Sequence, residues 1–128
     1  MNAIQLARTA YGTPDTPART GRSAEYEIFA RVTRRLRDAA AAAAPGAAPM
    51  VALVRALHDN QRLWTTLAAD VADDGNALPR DLRARLFYLA EFTRLHSARV
   101  MQGEASAGVL VDINTAVMRG LAQHEGAP

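Results

Sequence analysis

Cysteine and lysine are missing from this 128-residue chain, and tryptophan occurs only once. The lack of cysteine excludes disulfides, a thiolate nucleophile and cysteine-ligated zinc. Because lysine is absent, all 15 basic residues are arginine; set against 13 acidic residues they leave a net charge of +2. Aromatic residues make up only 5%, which suits alanine-rich helices better than an aromatic-rich sheet. No apolar run reaches the roughly 18 residues that a membrane span requires. The opening MNAIQLARTAY has neither the charged start nor the long apolar stretch of a secretion signal, so the expected compartment is the cytoplasm.

The motifs of catalysis are missing as well. The three histidines, His58, His96 and His124, lie in separate segments without HExxH or Hx3H spacing, and there is no GxSxG, P-loop or GxGxxG. His96 shares a face with Leu82, Leu86, Leu89 and Val100, so partial burial is expected of it. Asp70, Asp73 and Asp74 cluster in DVADDGN, but the stretch lacks the regular oxygen ligands of an EF-hand loop and reads as a solvated turn. Carboxylates there run against the dipole of a preceding helix end. No catalytic, cofactor or metal-binding residue is assigned, and an enzyme is not expected.

What the chain does have is helical periodicity throughout, with no alternating strand pattern. Residues 2–11 read as a short helix with Ile4, Ala7 and Tyr11 on one face, and residues 12–19 as a loop arm broken by GTPDTP. Thr20 or Ser23 can cap the next helix, whose apolar face carries Ile28, Phe29, Val32 and Leu36 and which should stop before Pro45. PGAAP, residues 45–49, reads as a linker. A third helix is expected from Met50 to Ala72, ended by Gly75. Pro79 then starts a fourth, placed in its first turn, that runs to Met101. Gly103 breaks the pattern, a last helix runs from Ser106 to Gln123, and residues 124–128 form a flexible tail. The expected fold is all-α: one domain over residues 1–128, a compact bundle of about four main helices plus a short N-terminal one.

Three features ask for a physical explanation. The first is Asn60, which sits on the apolar seam of Leu53, Leu57, Trp64, Leu67 and Val71, while Asn114 lies beside the stripe of Leu110, Val117 and Leu121. A buried amide without a partner costs roughly 1–3 kcal/mol. The preferred reading is structural: the two amides bond each other or cap a turn, and so fix helix register. The second is the fourth helix, which is apolar on two sides, with Leu82, Leu86, Leu89 and Val100 on one and Tyr88, Phe92 and Leu95 on another. Such a helix is either central in its bundle or half covered by a partner. Trp64 carries the same ambiguity between core residue and interface anchor. The third is RVTRRLR, where Arg31, Arg34, Arg35 and Arg37 could meet nucleic-acid phosphates. Expected local pairs (Glu27 with Arg31, Arg34 with Asp38, Asp81 with Arg85) and the absence of interleaved aromatics weigh against direct RNA binding.

The succession NQRLW (60–64), NALP (76–79), LFYLAEF (86–92) and LVDINTAVMRGL (110–121) resembles the flagellar FlaF family in order and spacing. The N-terminal segment ending in AYG and the TGRSAEYEIF stretch fit less closely, with Gly21 standing where a proline is expected. The resemblance implies a small cytoplasmic helical protein needed for flagellum assembly. Its partner would be the terminal helical segment of flagellin, for which it acts as a secretion chaperone, with the FlbT regulator as a second partner in post-transcriptional control of flagellin synthesis. On that reading the binding anchors are Trp64, Tyr88, Phe92 and Leu95, and Asn60, Pro79 and Asn114 are structural. The alternative is a regulator that acts directly on flagellin mRNA through Arg31, Arg34, Arg35 and Arg37.

Overall fold

The computed structural model describes residues 21–42 and 46–126. The short helix expected over residues 2–11 and the arm that follows it lie outside the described residues. Four helices account for nearly all of what is described: α1 Gly21–Ala41, α2 Ala47–Val71, α3 Arg80–Met101 and α4 Gly108–Gly126. No strand occurs among the described residues. The helix α1 packs on α2 and α4, and α3 packs closely on α2 but only thinly on α4. The helices therefore stand at the corners of a square, with α1 opposite α3 and α2 opposite α4.

The core shows which way each helix runs. Ile28, Phe29 and Val32 from the first half of α1 cluster with Leu63, Leu67 and Val71 from the second half of α2. The same cluster takes in Leu86 and Ala90 from the first half of α3 and Val117 and Met118 from the second half of α4. A second cluster gathers the opposite halves: Leu36 and Ala39, Ala56 and Leu57, Val100, and Leu110 with Ala107 before α4. Successive helices are thus antiparallel, as short connections between packed helices require.

The corners of the bundle are built from side chains that satisfy helix ends. At the α2–α3 corner the Arg83 guanidinium donates to the carbonyls of Val71 and Asp73, both at 2.9 Å. That cation answers the clash between the aspartates and the dipole of α2. The aspartates themselves hold the turn, since Asp73 Oδ1 accepts from the Gly75 N–H and Asp70 Oδ2 accepts from Asn76 Nδ2. At the other corner, Gly103 (φ +75°) closes a Schellman motif in which the Glu104 N–H reaches the Arg99 carbonyl and the Gly103 N–H that of Val100. His96 Nε2–H then donates to the Ser106 carbonyl at 2.8 Å, tying α3 to the segment that starts α4.

Several expected boundaries shift, each for a local reason. Pro79 is the N-cap of α3 (φ −55°, ψ 146°) and not a first-turn residue; an N-cap needs only its carbonyl, which here accepts from the Arg83 N–H at 3.0 Å. PGAAP is only partly a linker: α2 begins at Ala47, and Pro49 is its third residue, where a missing N–H has no helical acceptor to lose. Ser23 lies inside α1, which is described from Gly21. The last helix continues to Gly126, past the end expected at Gln123.

Two glycine substitutions should move stability in opposite directions. Gly103→Ala should lose about 1 kcal/mol, because an L side chain is disfavoured at its positive φ although no atom lies within 4 Å of the new Cβ. Gly120→Ala, in open space on the exposed side of α4, should gain about 0.5–1 kcal/mol. Urea unfolding of both variants measures the pair.

Candidate functional site

Halfway along the bundle the two apolar clusters are separated by buried polar residues from all four helices. Thr33, Asn60, Thr93 and Asn114 are all fully buried. Asn114 is the centre of this layer. Its Oδ1 accepts from the Trp64 indole N–H at 2.9 Å, and its Nδ2 donates to Asn60 Oδ1 at 2.7 Å and to Thr33 Oγ1 at 3.1 Å. The two seam amides thus meet across the diagonal between α2 and α4. Among the described residues, Asn60 Nδ2 and Thr93 Oγ1 have no hydrogen-bond partner.

Trp64, expected as a binding anchor, is corrected by this geometry. It is 0% exposed, its indole N–H is held by Asn114, and its ring meets Phe29 edge-to-face at 5.9 Å. A side chain packed on every side has nothing left to offer a partner. Its four-residue spacing from Asn60 puts both on the inner face of α2.

Tyr88, Phe92 and Leu95, by contrast, face outward. They are 69%, 36% and 56% exposed. Spaced i, i+4 and i+7, they form one stripe on α3, and Leu86, Ala90, Thr93, Ser97 and Val100 bury the face behind it. The helix is therefore not central: it is a corner helix with one side in the core and an apolar stripe facing outward. Phe92 is partly anchored, its ring stacked on the His96 imidazole at 5.4 Å, and Phe87, 47% exposed, adds apolar surface beside the stripe.

The arginine row takes a different corner. Arg34, Arg35 and Arg37 are exposed on α1 and Arg31 is half-buried, while the exposed aromatics Phe87, Tyr88 and Phe92 lie on the diagonal helix α3. Tyr26 is exposed on α1, roughly 140° around the helix from Arg31 and about three turns along it from Arg37. The expected pairs Arg34–Asp38 and Asp81–Arg85 form no salt bridge among the described residues, whereas Glu91 and Arg94 do at 3.1 Å. No group of three or more metal-ligand side chains occurs among the described residues, and no described helix is long and apolar enough to cross a membrane.

A family model described as flagellar protein FlaF matches residues 7–121. The chain belongs to the FlaF family. Nothing among curated proteins or solved structures matches it. FlaF membership gives the chain a role in flagellar biosynthesis. Within the matched span, the stretches that resemble FlaF divide between inside and outside: NQRLW and LVDINTAVMRGL supply the buried Asn60, Trp64 and Asn114, while LFYLAEF turns Leu86 and Ala90 inward and Phe87, Tyr88 and Phe92 outward. Sequence reasoning missed Thr33 and Thr93 as members of the polar layer. The signal was their helical spacing, since Thr33 falls between Phe29 and Leu36, and Thr93 between Leu86 and Val100, at i+3, i+4 or i+7 steps.

Asn114→Ala would strand the Trp64 N–H and the Asn60 carbonyl oxygen in the core. The expected loss is about 2–4 kcal/mol of unfolding free energy, against about 1 kcal/mol for Thr33→Val, which removes a single acceptor. Denaturant unfolding followed by fluorescence of Trp64, the only tryptophan, reads both.

Proposed function

We propose that this FlaF-family chain is a cytoplasmic binding protein and not an enzyme, and that it acts as a secretion chaperone for flagellin through the outer face of α3. The observation that carries the reading is the stripe of Tyr88, Phe92 and Leu95, directed away from a core that the other side of the same helix already fills. A monomeric soluble protein rarely leaves aromatic and aliphatic side chains aligned along an exposed helix unless something covers them. The terminal segments of flagellin are amphipathic and become ordered in the filament, so exposed in the cytoplasm they would self-associate. One such segment laid along α3 would bury its apolar side against the stripe, in the manner of a helix docked on a groove.

Effects on flagellin synthesis would follow from holding flagellin, with the FlbT regulator as a further partner. Direct action on flagellin mRNA is the less supported reading, because the arginines of α1 have no aromatic platform beside them.

Tyr88→Asp and Phe92→Asp test the proposal. Each should weaken flagellin binding by about 30-fold or more while the circular dichroism and melting temperature stay near wild type, since a charge placed on an exposed stripe does not enter the core. Tyr88 is the cleaner site because Phe92 also stacks on His96. Unchanged affinity in both folded variants would move the flagellin site off α3. Charge reversal at Arg34 and Arg35 should leave flagellin affinity unchanged.

A further inference from the structure

Asp81 and Arg99 sit in the first and last turns of α3, both exposed, and neither makes an ion pair among the described residues. Their separation, 99 − 81 = 18 residues, is five full turns at 3.6 residues per turn, so the two charges project along the same line of the helix. The stripe of Tyr88, Phe92 and Leu95 lies within about 40° of that line. One side of α3 therefore reads, from end to end, as an acid, an apolar stretch bordered by the exposed Arg85, and a base.

A surface of this kind is complementary to itself. We infer that the outer face of α3 pairs with the same face of a second copy in antiparallel orientation. A two-fold axis at the height of Ala90, on the outer side of the helix, sets Asp81 of each copy against Arg99 of the other, and Tyr88 of each against Phe92 of the other. In that register Arg85 stands at the height of Leu95 of the second copy, where its stem can cover apolar surface. The parallel arrangement sets Asp81 on Asp81 and Arg99 on Arg99, so charge selects the antiparallel form, and opposed helix dipoles favour it further.

The size of the contact predicts its strength. One helix face about 27 Å long buries less than the roughly 1,200–2,000 Å² of a stable dimer, so the pair forms at micromolar or higher concentration and exchanges readily. This self-association covers the face assigned above to flagellin, but its argument stands without that assignment. Where both hold, free chaperone masks its own apolar stripe and gives it up to the client.

Analytical ultracentrifugation of the full chain, from micromolar to near-millimolar concentration, tests the inference without flagellin. Wild type should show a monomer–dimer equilibrium. Asp81→Arg alone and Arg99→Asp alone should each weaken it by about tenfold, because each sets like charges together at both ends. The double variant D81R/R99D should recover it, and so should an equimolar mixture of the two single variants, which restores both opposite-charge contacts in a heterodimer. Recovery in the mixture cannot come from a folding defect. A wild type that stays monomeric throughout, a dimer indifferent to either charge reversal, or a mixture that stays monomeric would each overturn the inference.

Discussion

One amide holds this bundle together at its middle. Asn114 accepts from the indole of Trp64 and donates to Asn60 and Thr33, so a single side chain on α4 sets the height of α1 and α2 against its own helix. An apolar core of leucine and valine tolerates sliding by a turn; a buried amide does not, because any slide leaves its donors and acceptor unpaired in a medium without water. The layer is not free of cost. Asn60 keeps an amide donor, and Thr93 a hydroxyl, with no partner among the described residues. A wholly apolar layer would pack at least as well, so the polar layer is understood as trading stability for register.

Register is what gives the outer face of α3 its form. Once the Arg83 corner fixes where α3 stands against α2, its rotation follows from the burial of Leu86, Ala90, Ser97 and Val100. Tyr88, Phe92 and Leu95 then have nowhere to point except outward. The thin packing between α3 and α4 leaves this helix supported chiefly by α2 and by the His96 tie to Ser106. A face presented on a helix, and not on a loop, keeps its spacing before any partner arrives, which lowers the ordering cost of binding.

The all-α class and the four main helices were legible in the sequence, because apolar residues recur at helical spacing and Gly75, Pro79 and Gly103 mark the breaks. The meeting of Asn60 with Asn114 could be anticipated only as one of two possibilities, since periodicity places a residue on a face but does not say which face it meets. Trp64 shows the same limit: a tryptophan beside a buried amide is equally at home in a core or an interface, and only the indole bond to Asn114 decides. The two-sided pattern of α3 likewise fitted a central helix until the square arrangement put it at a corner. The role of Arg83 was not legible at all, because capping carbonyls twelve and ten residues back depends on the turn geometry that Asp73, Gly75 and Asn76 create.

The claim that an apolar face of α3 receives a flagellin segment is tested most directly by calorimetric titration of the chain with flagellin, full-length and without its C-terminal segment, over a range of temperatures and at two salt concentrations. The account predicts saturable binding to full-length flagellin with a negative heat-capacity change and little sensitivity to salt, the signature of buried apolar surface. Loss of binding on removal of the C-terminal segment would identify that end as the client helix, and retention would identify the other. No heat of binding to full-length flagellin, or binding that disappears with salt and carries no heat-capacity change, would contradict it.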